Sequence, residues 1–363
     1  MVISGQYSHK TIRQYSHNID NMAQPKRARM SHGKDQDSEY FRSYSDIGIH
    51  EDMIADSVRT NAYRLAILRN FEKIRGKVVL DVGAGTGILS AFCVQAGAKT
   101  VYAVEASDMA EQIKRVAKGN NMAEKIIVLQ SKMEDAELPE KVDVIVSEWM
   151  GYFLLYETML PSVIYARDNW LKQNGLILPD SATLYMAPIN HTDFYEERLT
   201  FWEKVEETFK VNMSSLVPYA RKCLTEHIHV KTIPIENVLA QYSKIAHIDL
   251  NTVTTSQLSH MKESFTFQCY GCNTLHGFAS WFKVEFSADV ELSTSPYCED
   301  THWQQSVLYV DNPLHVEQDT QITGSVVLTP NAEFPRFLDI DLKYKIDSND
   351  DVHKHYLMND VIL

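Results

Sequence analysis

The run Asp81-Val82-Gly83-Ala84-Gly85-Thr86-Gly87 stands where a short apolar segment, Val78-Val79-Leu80, gives way to a helix-forming stretch over 88–96. Glycines here let the backbone turn sharply and approach a ligand with no Cβ in the way. A strand that ends in such a loop and feeds a helix commits the neighbouring chain to strand–helix alternation. The alternation is present. Val101-Tyr102-Ala103-Val104 reads as a second strand, 108–118 as a helix, Ile126-Ile127-Val128-Leu129 as a third strand and 142–146 as a fourth. A helix from 157 to 170, closed by a turn at Gly175, completes the set. Short apolar strands joined by crossover helices predict a mainly parallel sheet covered on both faces.

Upstream, Met53, Ile54, Val58, Tyr63, Ile67 and Leu68 recur at helical spacing, so 50–71 is expected to be helical with one break, ending by Gly76. Residues 1–38 show no such periodicity and are read as a flexible tail, with order beginning near Tyr40. Beyond Pro179 the pattern turns β-rich, through 182–187, 245–250, 264–268, 278–286, 307–310, 322–328 and 340–346. An antiparallel sandwich or barrel is expected there. Between them, 191–222 is aromatic, charged and helical in pattern, either an interaction arm or a helix packed on its own domain. The division is therefore 39–178 for the α/β domain and 179–363 for the β domain.

The 363 residues carry 35 Lys plus Arg against 48 Asp plus Glu, a formal net charge of −13. That balance repels a phosphate backbone and suits a cationic peptide, so sequence-specific nucleic-acid binding is not expected. Five scattered cysteines form no disulfide framework, and Cys269-Tyr-Gly-Cys272 lacks the second pair a zinc site requires. Cys269 and Cys272 are read as buried thiols of a strand-and-turn segment, with no metal expected. No apolar run approaches the roughly 20 residues that span a bilayer. A reducing compartment is expected, in which the sequons at Asn190 and Asn212 stay unmodified. Pro25-Lys26-Arg27-Ala28-Arg29 has the form of a short import signal, pointing to the nucleus, with the cytoplasm as a further location.

The glycine spacing bears on the ligand. A dinucleotide fingerprint would place its third glycine where Ile88 stands, so the loop suits an adenosine without phosphates better than a pyrophosphate. Glu105, closing the second strand, can accept both hydroxyls of a ribose, a role it could serve equally for NAD.

After the fourth strand comes Ser147-Glu148-Trp149-Met150-Gly151-Tyr152-Phe153-Leu154-Leu155-Tyr156-Glu157. Ligands of open parallel sheets lie beyond the carboxyl ends of the strands, so both glutamates can face the crevice that holds Gly83 and Glu105. Two adjacent carboxylates repel unless a cation lies between them, and the planar fork of arginine supplies one with bidentate bonds. Glycosidases also pair carboxylates, but that chemistry explains neither the glycine loop nor Glu105.

These segments, together with Thr301-His302-Trp303 in the β domain, resemble the protein arginine methyltransferases from Tyr40 to near the C-terminus. Residues 152–157 and 271–281 look most like the nuclear, type I group numbered 6. The resemblance implies a Rossmann-like class I methyltransferase domain, then a β-barrel with an inserted helical dimerisation arm. It also implies S-adenosylmethionine as methyl donor, S-adenosylhomocysteine as product and asymmetric dimethylarginine on histones and other basic nuclear proteins. By the same resemblance Tyr40 and Tyr44 belong to a helix that folds over the cofactor and shapes the arginine channel. His50, Met53, Arg59, Asp81, Gly83, Gly85, Glu105, Met133 and Glu134 fall on the cofactor side, with Arg59 expected on the methionyl carboxylate. Glu148 and Glu157 become the double-glutamate clamp, and Met150, Tyr152 and Trp303 contact substrate. His302 is expected to approach Asp56 as a supporting dyad. A non-catalytic arginine reader and a methyltransferase for nucleic acid or small molecules are the rival readings.

Overall fold

Val78–Val82 is buried at every position, as a strand must be when helices cover both faces of its sheet. The computed structural model describes residues 36–359, which form one compact unit. The tail through residue 35, with its basic cluster at 25–29, lies outside the described residues.

The described chain opens with α1 (Gln36–Ser43), α2 (Ile47–Ala55), α3 (Ser57–Arg69) and a single turn, α4 (Phe71–Ile74). Helix is therefore already present a few residues ahead of Tyr40. Asp37 and Glu39 in the first turn of α1 and Arg42 in its last complement the helix dipole. The expected break in the 50–71 helix falls at Asp56, whose side chain caps α3 through the Arg59 amide at 2.9 Å.

Next come β1 (Val78–Val82), α5 (Ile88–Gln95), β2 (Thr100–Glu105), α6 (Met109–Gly119), β3 (Ile126–Gln130), β4 (Val142–Val146), α7 (Leu160–Trp170) and β5 (Leu171–Leu178). All pairings are parallel, in the order β3-β2-β1-β4-β5. The order reverses between β1 and β4, so a crevice opens beyond their carboxyl ends. Two expectations need correction. The helix assigned from 157 starts at Leu160, because Glu157 has φ 53 and ends a loop. The turn assigned at Gly175 lies inside β5.

The remainder is antiparallel. After β6 (Ser181–Ile189) the chain leaves as α8 (Thr192–Phe209) and α9 (Val217–Glu226), then returns as β7 (Ile228–Lys231) and β8 (Ser243–Asp249). A short α10 (Thr255–Leu258) precedes β9 (Met261–Gln268), β10 (Asn273–Phe286), β11 (Val290–Ser293), β12 (Gln305–Val316), β13 (Gln321–Pro330), β14 (Leu338–Ile346) and β15 (Val352–Met358). They form a sheet ordered β7-β12-β10-β6-β8, with β11 paired to β10, and a second ordered β15-β14-β13-β9. Among the described residues these are two sheets, and no named ladder joins them into one closed ring. The helical excursion is a pair of helices that runs past 222 to Glu226. Tyr195 and Leu199 of α8 pack on Trp281, Val307 and Tyr309 of the sheet. Of the two cysteines expected to be buried, Cys269 is, while Cys272 is exposed.

Candidate active site

Four strands of the parallel sheet, β1 to β4, each deliver one piece of the site at the carboxyl end. Beyond β1, Gly83, Gly85 and Gly87 all take positive φ. At Gly85 (φ 55) an added Cβ would sit 3.1 Å from the His50 ring, so the loop is packed directly beneath the N-terminal helices. The Gly85 amide donates to Glu105 Oε2 at 2.8 Å and the Ser107 amide to Oε1 at 2.8 Å. This fixes the Glu105 carboxylate at the end of β2 and leaves each oxygen a lone pair for a further donor.

Asp81 is fully buried. Ser90 donates to its Oδ2 at 2.6 Å, while Oδ1 has no partner among the described residues. Burial pushes the carboxyl up to about 7, against the pull of the Ser90 bonds and with a further push from Glu105.

Beyond β4 the chain doubles back, with Gly151 bridged to Leu154 and the Gly151 amide on the Leu154 carbonyl at 3.1 Å. A Cβ at Gly151 would fall 1.6 Å from the Tyr156 carbonyl oxygen, so only glycine permits this hairpin. Phe153, Leu154 and Glu157 turn it with φ of 51, 64 and 53. The result brings Glu148 and Glu157 into one cavity of about 880 Å3, shared with Gly83, Gly85 and Glu105.

Arg59 holds Glu148 from below. Its Nε and Nη2 both donate to Oε2, at 3.2 and 3.0 Å, and Nη1 donates to the Met53 carbonyl at 3.0 Å. Glu148 Oε1 makes no hydrogen bond among the described residues. The pair is largely buried, and removing one partner from such a pair costs about 3–5 kcal/mol through the charge left behind. Arg59, expected on the cofactor carboxylate, is thus found on the clamp, with two of its five donors unused among the described residues.

The roof is α1. Tyr40 and Tyr44 lie 4.7 Å apart between ring centroids, and the Tyr44 carbonyl accepts from His50 Nε2 at 2.9 Å. Burial raises both phenols well above their usual range. Arg336 partly offsets this for Tyr40, while the charges of Glu157 and Glu148 raise both further. Tyr152, also raised by burial, feels Asp52 and Glu157.

Asp56 joins the far part of the chain. Its Oδ2 accepts from the His302 amide at 2.9 Å and from His302 Nδ1 at 2.7 Å. Burial pushes its carboxyl up, but the bonds from His302 and Arg59 outweigh that and hold it below the usual range. The neighbouring Trp303 is buried and donates from Nε1 to the Met150 carbonyl at 3.3 Å, steadying the clamp hairpin. Met150 Sδ in turn accepts from the Tyr63 hydroxyl at 3.5 Å. Met133 is buried, and the exposed Glu134 accepts from Ser162 Oγ at 2.6 Å; both line the same cavity.

Of the eighteen residues singled out from the sequence, all but one line this cavity; the exception is the fully buried Asp81. One important residue escaped. Arg336, in the β13–β14 connection, places its guanidinium 3.7 Å from the Tyr40 ring centroid and pairs with Asp37 at 2.8 Å. Its carbonyl accepts from the Glu157 amide at 2.8 Å, and Lys132 adds a second pair to Asp37. It lies 299 residues from Asp37, in a stretch with no motif, so no local signal marked it.

The site suits an adenosyl sulfonium donor: a glycine cradle with no room for side chains, a carboxylate fixed beside it at the end of β2, and no cationic side chain in the loop. Comparison with known proteins agrees. Residues 180–349 match the arginine methyltransferase oligomerization subdomain, and 59–177 match the ribosomal protein L11 methyltransferase model. The chain is 54% identical over 315 residues to protein arginine N-methyltransferase 6 of Xenopus tropicalis, covering 86% of this chain and 92% of the relative. It superposes with TM-score 0.80 on a chain of the Trypanosoma brucei PRMT1 enzyme–prozyme complex with AdoHcy, at 34% identity over 87% of this chain and 100% of that one. A crystal structure of PRMT6 matches with TM-score 0.70 at 29% identity, over 83% and 100%. With the paired glutamates, the glycine loop and the His302 loop assembled in one cavity, the chain belongs to the protein arginine N-methyltransferase family, among its type I enzymes and closely related to the PRMT6-type members, with S-adenosylmethionine as methyl donor.

Proposed function

We propose that this enzyme methylates arginine in basic protein tails, histones and other nuclear proteins among them, giving monomethylarginine and then asymmetric dimethylarginine. The observation that carries the reading is the convergence of Glu148 and Glu157 on the cavity that also holds Gly85 and Glu105.

Bound S-adenosylmethionine supplies a methyl group already activated on a sulfonium. The protein's task is to aim a guanidinium nitrogen at it and keep water out. Guanidinium is a poor nucleophile because its lone pairs are delocalised and its pKa exceeds about 12. Glu148, with one oxygen fixed by Arg59, and Glu157, on the far arm of the hairpin, bond two nitrogens and draw positive charge towards themselves. The third nitrogen keeps more of its lone pair as the transfer proceeds. Tyr40 and Tyr44, kept neutral by burial, close the roof. Glu105 accepts the ribose hydroxyls, and the free donors of Arg59 meet the methionyl carboxylate. His302 acts first as a positioning residue. With Nδ1 donating to Asp56, its Nε2 is left to accept the proton released after transfer.

The antiparallel domain supplies the second half of the proposal, a homodimer formed through the arm of α8 and α9. Phe201, Phe209 and Tyr219 on that arm are exposed, as a partner-binding face requires.

The test is methyl transfer to mixed histones and to a glycine–arginine-rich peptide, with mass fragmentation of the product. The native chain should yield asymmetric dimethylarginine, and Glu148→Gln and Glu157→Gln should each lower kcat by about 100-fold or more. Normal turnover in both variants would overturn the clamp, and symmetric product would overturn the product type.

A further inference from the structure

A second cavity, of about 890 Å3, opens on the antiparallel domain and shares no lining residue with the active site. Its walls carry Tyr185, Tyr242, Tyr270, Trp281 and Tyr297. Tyr242 stands nearly perpendicular to Tyr185 (5.2 Å, 79°) and to Trp281 (5.5 Å, 72°), with Tyr297 at 5.9 Å from Tyr242 and 6.3 Å from Trp281. Tyr242, Tyr270 and Tyr297 remain 39%, 59% and 43% exposed, so this aromatic corner is open to a ligand.

The electrostatics select the ligand's sign. Aromatic faces are negative, and Glu236 and Glu291 add carboxylates to the lining. The lining's one cationic side chain, Lys283, is already held by Glu285 at 2.6 Å and Glu291 at 3.4 Å. A phosphate or carboxylate would meet unfavourable charge here, whereas a flat, weakly hydrated guanidinium matches both the rings and the acids.

Position selects the source. The cavity wall includes Tyr297 and Cys298, and the chain then reaches His302 of the active site within four residues, a span of at most about 14 Å. Taking the function proposed above as its premise, we propose that this cavity docks a second arginine of the same polypeptide whose acceptor arginine lies between Glu148 and Glu157. It would give the enzyme a preference for tails with spaced arginines.

Peptides carrying one acceptor arginine, with or without a second arginine about 4–10 residues away, test this directly. The second arginine should lower KM about tenfold, the effect of roughly 1.4 kcal/mol, at unchanged kcat. Tyr242→Ala and Glu236→Gln should each reduce that advantage while leaving the one-arginine peptide unaffected. Alkylation of the exposed Cys272 and Cys298, which line the cavity, should be slowed by the two-arginine peptide and not by the other. Equal KM for the two peptides, or an advantage that survives both substitutions, overturns the docking site and leaves the catalytic reading standing. Failure of the native enzyme to methylate either peptide would instead strike the catalytic reading, and thiol protection would still report on the cavity.

Discussion

At Gly151 the clamp leaves no choice of side chain. The Cβ of an alanine would lie 1.6 Å from the Tyr156 carbonyl oxygen, so Gly151→Ala must push apart the two arms that carry Glu148 and Glu157. A displacement near 1 Å at reacting groups lowers rates by about 100-fold. The expected result is that loss in kcat with cofactor affinity retained, because the glycine cradle and Glu105 are on other strands. Steady-state kinetics with calorimetric titration of S-adenosylhomocysteine separates the two, and an unchanged kcat would show that the hairpin geometry is not what aligns the carboxylates. Single residues also show what sequence can convey. Glu148, Glu157 and Gly83 were legible because their chemistry is written within a few residues of a strand end. Arg336 was not, since it acts through contacts made only when distant segments fold together.

Among the elements, α8 is seated on the sheet through histidines. His191 bonds the Tyr309 hydroxyl through Nδ1 at 2.7 Å and stacks on Phe194, and His229 contacts the Leu224 carbonyl through Nε2 at 3.0 Å. Burial, reinforced by His276 and Lys231 around His191 and by Lys231 and Arg198 around His229, pushes both imidazoles down to about 4. A histidine depressed in the folded state stabilises the fold above its unfolded value of about 6.5, and that contribution disappears as pH falls through about 4. Amide exchange protection in Thr192–Phe209 should therefore fall over that window, and the fall should flatten in a His191→Leu, His229→Leu variant. Identical pH profiles for the two proteins would remove the histidines as the cause. The elements themselves were read unevenly. Buried parallel strands announce themselves as unbroken apolar runs, whereas β5, which begins Leu-Lys-Gln-Asn-Gly, and β15, Val-His-Lys-His-Tyr-Leu-Met, carry too many polar residues to stand out before their partners are known. Closure of the β domain into a barrel was a further expectation that local pattern could not determine, because it depends on which strand edges meet.

The molecule as a whole combines an acidic surface with an arm that leaves Phe201 and Tyr219 in solvent at 54% and 66% exposure. Replacing both with aspartate puts charge where a partner copy would bury aromatic surface, so sedimentation should show a monomer for that variant and a dimer for the native chain. A native monomer, or a dimer indifferent to the two aspartates, would refute the arm as the interface.

The ties from Arg336 to α1 and to the clamp carry a temporal consequence. Translation makes the glycine loop long before Arg336, so the roof over that loop stays unsecured until Arg336 has followed it out of the ribosome. The site of a partly made chain therefore stands open to the water that the finished roof keeps out.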